Sequence, residues 1–206
     1  MEISKYQYTY QQLSIALYEA LQGDAFYSPL EQSIADKSFA REAMLRYMDY
    51  SMVEGIRYGE VFMPENCLHG VSIWSMPIDQ SREAKKTREK KSFIASHMSK
   101  NSLETYNAIV GSMSENATTL VDKEAWYLSI VGILPEFQGK GLGMELVNRV
   151  LKKTDSLQIQ TFLETFTPRN MNFYERLGFR VLDSFYEPNT GSDYWLMARD
   201  FDQKRQ

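Results

Sequence analysis

Apolar residues recur at helical spacing at Leu13, Leu17 and Leu21 within "QQLSIALYEALQ", residues 11–22, and the run closes at Gly23. That spacing predicts an amphipathic helix. Gly23 and Pro29 then break the pattern in "GDAFYSPL" and predict a loop. A second stripe predicts a helix over 37–55, carried by Phe39, Ala43, Met44, Tyr47, Met48 and Met52 and terminated by Gly55. The period then shortens. "YGEVFM" at 58–63 and "GVSIWSM" at 70–76 predict two strands, joined by "PENCLHG" as a hairpin loop. The polar stretch 80–118 predicts helix without sharp boundaries.

The second half has clearer punctuation. "AWYLSIVGIL", residues 125–134, is rich in β-branched and aromatic side chains and predicts a buried strand stopped by Pro135. Leu142, Leu146, Val147, Val150 and Leu151 share one face of a helix over 142–153. "QIQTFLETF" at 158–166 predicts a strand. Pro168 opens a helix that Gly178 ends. "FRVLDSFYE" and "DYWLMARDF" predict a closing hairpin around "PNTG". The order is strand–helix–strand–helix–strand–strand. It predicts a mixed α/β (α+β) domain with one parallel step and a terminal antiparallel pair.

Length and charge narrow the function. The chain has 206 residues, enough for one domain with one large core. Its net charge of −4 carries no basic signature for nucleic acid. The basic run "KKTREKK" at 85–91 alternates with acids and reads as a solvated helix face. The single cysteine, Cys67, forms no intrachain disulfide and reads as a small residue near a turn; His69 and His97 make no metal set with it, so no metal is expected. The N-terminal stretch lacks the pattern of a signal peptide, and no apolar run approaches membrane-spanning length. A cytoplasmic protein without membrane contact is expected, and the sequon at Asn116 is expected to be idle.

The chemistry concentrates in "LPEFQGKGLG", residues 134–143. A strand ends, the backbone turns through Gly139, Gly141 and Gly143, and a helix begins near Leu142. Glycines let backbone N–H groups approach an anion, and the helix N-terminus favours negative charge. The nucleotide loop G-x-x-x-x-G-K-[ST] is not met, because Gly141 follows Lys140. The dinucleotide pattern G-x-G-x-x-G is not met either. Upstream, Gly132 interrupts the strand, which predicts a bulge or a close backbone approach. A bulge would splay the strand from its neighbour and expose unpaired backbone groups to an amide-bearing arm. Loop and gap together suit a pyrophosphate joined to such an arm, the shape of coenzyme A.

"IVGILPEFQGKGLG" resembles the acetyl-CoA-binding strand–loop–helix of the GNAT N-acetyltransferase superfamily, whose pattern Q/R-x-x-G-x-G/A is met by Gln138, Gly141 and Gly143. "FLETFTPRNMNFYERLGFRV", residues 162–181, resembles its second coenzyme A motif. Over 124–183 the chain is similar to the puromycin N-acetyltransferase-like branch, with weaker likeness at 24–29 and 71–77. The resemblance implies the GNAT acyl-CoA N-acyltransferase fold: a central, mostly antiparallel twisted sheet with a splayed parallel strand pair, flanked by helices. It implies one domain over 1–206, with residues 1–120 on the acceptor side and 121–206 on the acetyl-CoA side. The co-substrate is acetyl-CoA and the acceptor a small-molecule primary amine, such as an aminoacyl or aminonucleoside compound. A protein lysine or N-terminal acetyltransferase is the alternative enzyme, and a silent acyl-CoA-binding regulatory module the alternative of another class. A homodimer is left open.

Residue by residue, the resemblance places the backbone of Val131, Gly132 and Ile133 on the pantetheine arm. It places the amides of Gln138, Gly139, Lys140, Gly141, Leu142, Gly143 and Met144 on the pyrophosphate. Asn170 would bond the cofactor arm, and Tyr174 would protonate the departing thiolate. Many members carry asparagine seven residues before that tyrosine, where this chain has Thr167; Asn170 would serve instead, one turn before Tyr174 on the same face. Glu164, an acid in the apolar strand "FLETF", reads as a general base acting through water or as a structural anchor. Asp24 and Tyr27 fall in a loop suited to the acceptor, and Trp74, with Phe26 and Tyr127, could wall an aromatic pocket.

Overall fold

The computed structural model describes residues 6–64 and 69–201. Seven helices and six strands alternate along these residues. They run α1 (Gln11–Ala20), α2 (Tyr27–Gln32), α3 (Ala40–Tyr58), β1 (Gly59–Phe62), β2 (Gly70–Ser75), α4 (Gln80–His97) and α5 (Lys100–Leu120). Then come β3 (Trp126–Ile133), α6 (Leu142–Ser156), β4 (Thr161–Thr165), α7 (Pro168–Arg176), β5 (Arg180–Glu187) and β6 (Ser192–Arg199). The strands form one sheet in the order β1-β2-β3-β4-β6-β5. Only β3 and β4 are parallel, and every other neighbouring pair is antiparallel. The expected mixed α/β architecture, with its parallel step and closing hairpin, is the one found. The hairpin loop between β1 and β2 falls partly outside the described residues, as does Cys67.

Helices cover both faces of the sheet. Leu13 and Leu17 of α1, Met44 and Met48 of α3, and Phe93 and Ile94 of α4 pack with Val71, Ile73 and Ile130. On the other face Val147, Val150 and Leu151 of α6 and Tyr174 of α7 pack with Trp74, Trp126, Leu128, Leu163 and Met197. Burying a large aliphatic or aromatic side chain contributes roughly 1.5–3 kcal/mol, so each layer is a substantial source of stability. Leu128 and Ile130 lie two apart yet serve opposite layers. The register explains it: Ile73 pairs with Ile130 and Trp74 with Leu128, which leaves Ser129 as an extra residue. One inserted residue reverses the facing of everything beyond it.

Three expectations need correction or a choice between alternatives, and one is sharpened. The bulge in β3 lies at Ser129, so of the two readings of Gly132 the bulge fails. Gly132 serves a close approach instead, since a Cβ there would stand 2.7 Å from Leu17 Cδ2 as α1 crosses the strand. Gly55 does not end its helix: α3 runs on to Tyr58, and a Cβ at Gly55 would meet Ile73 and Val61, each at 2.7 Å. The 80–118 stretch is two helices, α4 and α5, the second capped by Ser99, whose Oγ accepts from Ser102 N at 2.9 Å. The 23–30 segment is not all loop. Asp24 Oδ1 accepts from Phe26 N at 2.9 Å and tightens the turn, and Tyr27 begins α2.

Asp49 of α3 is fully buried and ties down the chain ahead of α1. Its carboxylate accepts from Tyr6 Oη at 2.8 Å, Thr9 N at 3.0 Å and Tyr10 N. Among the described residues no helix is long and apolar enough to cross a membrane.

Candidate active site

The parallel pair opens. β3 and β4 share register only at Trp126–Thr161 and Tyr127–Phe162, although β3 continues to Ile133 and β4 to Thr165. From Leu128 onward β3 is paired with β2 alone, so its edge toward β4 keeps unspent backbone donors and acceptors. Val131, Gly132 and Ile133 lie on that stretch.

The loop after β3 turns through two left-handed positions, Gly139 at φ 75° and Gly141 at φ 79°. A side chain at either would be strained by the backbone alone, and a Cβ at either would point into open space. Gly141 is the N-cap of α6, so the first amides of that helix, from Leu142 and Gly143, are gathered at the turn, while Met144 N donates to Gly141 O at 3.1 Å. Among the described residues no backbone carbonyl accepts from the amides of Gly139 or Lys140, whereas Gln138 N donates to Pro135 O at 3.2 Å, which takes Gln138 and Met144 out of the expected set of free amides. Gln138 holds the loop shape, its Nε2 donating to Ile133 O at 3.0 Å. Lys140 is exposed, its ammonium 5.2 Å from the Phe137 ring centroid. A glycine-only cradle with convergent N–H groups at a helix N-terminus fits a pyrophosphate.

A cavity of about 560 Å³ lies where β3 and β4 part. It brings together side chains that are far apart in sequence: Asp24 and Tyr27, Trp74, Val131, Glu164, Asn170 and Tyr174 all line it. The glycine loop, residues 138–144, does not line this cavity. Asn170 and Tyr174 arrive from successive turns of α7. Trp74 is fully buried, and its indole N–H already donates to Ser72 Oγ at 3.1 Å, so it is a wall and not a free donor.

Electrostatics distinguish three of these groups. Burial pushes the Glu164 carboxyl up to about 7, opposed by a hydrogen bond with Tyr127. Glu164 Oε1 is buried with no hydrogen-bond partner among the described residues. Burial also raises Tyr174, and the Asp24 carboxyl adds to the effect, so its hydroxyl keeps its proton throughout the neutral range. Asp24 is itself raised by burial, against hydrogen bonds from the Phe26 and Tyr27 backbone. One cavity therefore holds a carboxyl that ionises near neutrality and a phenol that stays protonated, the pairing that general base and general acid require. Among the described residues no cluster of three His, Cys, Asp or Glu could hold a metal.

The sequence matches the model of the Acetyltransferase (GNAT) family over residues 71–179, more than half of the chain. The chain belongs to the GNAT acetyltransferase family. The fold agrees with solved members at low identity. A histone acetyltransferase HPA2 and related acetyltransferase from Corynebacterium glutamicum aligns with TM-score 0.63 at 18% identity, covering 98% of this chain and 96% of that one. Arylalkylamine N-acetyltransferase 2 from Aedes aegypti aligns with TM-score 0.56 at 11% identity, over 95% and 98%. The polyamine N-acetyltransferase of Drosophila melanogaster aligns with TM-score 0.55 at 12% identity, over 91% and 95%. Membership in this GNAT family implies acyl-CoA-dependent acetyl transfer.

Many lining residues escaped the sequence reading of the site, Tyr47, Glu54, Lys90 and Tyr106 among them. Lys90 is buried, contrary to the solvated face expected for "KKTREKK", while Lys85, Arg88 and Lys91 of the same run are exposed. The signal was present: Lys90 precedes the buried Phe93 and Ile94 by three and four residues, which sets it on their face of α4. Tyr47, Ser51 and Glu54 likewise share one face of α3.

Proposed function

We propose that this protein is an acetyl-CoA-dependent N-acetyltransferase whose acceptor is a small primary amine, attacked directly without an acetylated protein. The observation that carries the reading is the meeting of Glu164 and Tyr174 in one cavity beside the unpaired edge of β3. On this reading residues 1–120 form the acceptor side and 121–206 the acetyl-CoA side of one functional unit.

Acetyl-CoA supplies a thioester whose carbonyl carbon is the electrophile. The open edge of β3 at Val131, Gly132 and Ile133 offers backbone groups to the pantetheine amides, and the amides of Gly139, Lys140, Leu142 and Gly143, which no backbone carbonyl among the described residues takes up, hold the pyrophosphate. Asn170, on the cavity wall, is placed to bond the same arm. Holding both reactants in register contributes about 7–11 kcal/mol when alignment is good. Glu164, ionised above about pH 7, takes the proton that the ammonium must lose before its nitrogen can attack. Tyr174 holds a proton at its hydroxyl for the departing sulfur, a role that contributes about 10²–10⁴-fold. Asp24 and Tyr27 flank Tyr174 and line the acceptor side of the cavity.

Release of free coenzyme A across a panel of amines tests the reading. The panel holds arylalkylamines, polyamines, aminoglycosides, amino acids and lysine peptides, together with puromycin, which the similarity over 124–183 nominates. Turnover on a small amine supports it. Turnover confined to peptides would replace it with a protein acetyltransferase. Acetyl-CoA binding with no turnover on any amine would leave only a binding module.

A further inference from the structure

The cavity has a second polar end. Glu54 lines it and, like Glu164, keeps Oε1 buried without a hydrogen-bond partner among the described residues. The two carboxylates occupy different places. Glu54 lies on α3 next to Gly55, which packs on Val61 of β1 and Ile73 of β2, whereas Glu164 lies on β4, separated from β2 by β3 and paired with Leu196 of β6. Aromatic rings bridge the interval: the Tyr47 and Tyr27 centroids are 6.2 Å apart, and Tyr27 in turn lies within electrostatic range of Tyr106 and Tyr174. An acceptor whose nitrogen reacts near Glu164 and whose body follows these rings ends at Glu54.

A buried carboxylate oxygen with no donor is costly, and it selects for a ligand that supplies one. The charge around Glu54 decides which kind. Lys90 Nζ stands 3.4 Å from Glu54 Oε2 and 3.2 Å from Ser51 Oγ. The same ammonium sits over the Tyr47 ring at 4.5 Å and the Tyr50 ring at 5.2 Å, so it is fixed in place. Next along the wall, Lys86 pairs with Glu83 at 3.5 Å, and Lys91 adds a further positive charge. Glu54 is therefore already neutralised, and a second ammonium on the acceptor would meet Lys90 at short range in a poorly screened site. A hydroxyl or an amide N–H would meet no such repulsion.

We propose that Glu54, paired with Lys90, reads an uncharged hydrogen-bond donor at the far end of the acceptor, so that the preferred substrate is an aromatic monoamine bearing a hydroxyl or amide N–H there, and not a diamine. The proposal rests on the reading of this cavity as the acceptor site.

Three matched amines test it: phenethylamine, its 4-hydroxy analogue and its 4-aminomethyl analogue. In the unmodified protein the 4-hydroxy compound should exceed the other two in kcat/KM by about tenfold or more, the scale of one hydrogen bond to a charged group. Lys90→Met leaves Glu54 charged and unpaired, and should move the ratio of 4-aminomethyl to 4-hydroxy turnover by at least about tenfold toward the dication. Glu54→Gln should narrow the preference for the 4-hydroxy compound over phenethylamine. Melting temperature and acetyl-CoA affinity are measured on each variant, and the unmodified protein's ranking stands even where a variant does not fold. A 4-aminomethyl compound that equals or beats the 4-hydroxy one in the unmodified protein overturns the proposal. So does a ratio unmoved by Lys90→Met in a folded variant, or turnover of other amines with none of these three. Failure on every amine tested would instead remove the acetyltransferase reading itself.

Discussion

From Trp126 to Arg199 most changes of direction are marked locally: Pro135 after β3, Gly141 at the start of α6, Pro168 in α7, Gly178 after it, Gly191 in the last hairpin; the turn from α6 to β4, through Gln158 at φ 58°, is the exception. From Gln11 to Leu120 the marks mislead. Gly55 sits inside a helix because β1 and β2 press against it, and Pro29 lies in α2, three positions into the element. On the proposed function the two regions also meet their ligands differently. The proposed acetyl-CoA side presents backbone, which the positions of glycine largely settle. The proposed acceptor side presents side chains from α2, α3, α4 and α5, whose convergence no neighbouring residue dictates. A backbone site is written locally; a cavity between helices is written only in long-range packing.

The sharpest break of this comparison is Gly141→Glu. It places a side chain at φ 79° and a negative charge at the pyrophosphate cradle. Acetyl-CoA affinity should fall by about a thousandfold or more, read by calorimetry, while circular dichroism stays unchanged. Near-normal affinity would show that the loop is not the anion site. Next in size is Tyr174→Phe, which should lower kcat by about 10²–10⁴-fold with acetyl-CoA affinity altered less than about twofold. Equal kcat would return Tyr174 to the core cluster in which it also packs.

Two further variants weigh buried acids in the two regions. Asp49→Ala strands the donors of Tyr6, Thr9 and Tyr10. It should destabilise the protein by roughly 3–4 kcal/mol in urea unfolding, with kcat little changed. Glu164→Gln should do the reverse. Because burial raises its folded pKa from the ordinary 4.5 to about 7, the protonated form favours folding; that stability is fully present below 4.5 and is lost as pH rises through about 7. The variant should therefore be more stable than the parent by roughly 2–3 kcal/mol at pH 8, and show no such gain at pH 4. Its kcat/KM should also lose the rise through neutrality that the parent shows. A pH-independent stability difference would mean that Glu164 is not held in the buried, uncharged form at low pH.

Much of the site was legible as residues and little of it as a place. Asp24, Tyr27, Trp74, Val131, Glu164, Asn170 and Tyr174 were each nameable from spacing, composition or resemblance, and the folded chain brings them to one cavity. Glu54 and Lys90 were not, because a buried charge on a mostly polar helix looks like its exposed neighbours until the partner helix is in position. The bulge was expected from the glycine in the strand and belongs to Ser129. Gly132 was a sign of α1 pressing on the sheet, a contact 115 positions away in sequence at Leu17.

By itself the sequence determined the secondary structure of the second half, the glycine turn at the head of α6 and the family, because these rest on backbone preferences acting over a few residues. Tertiary structure alone decided where β3 flips its faces, why Gly55 and Gly132 lack side chains, and which charges share the cavity. Those outcomes depend on surfaces meeting across the sheet, where desolvation and steric exclusion act between residues that the linear order keeps apart.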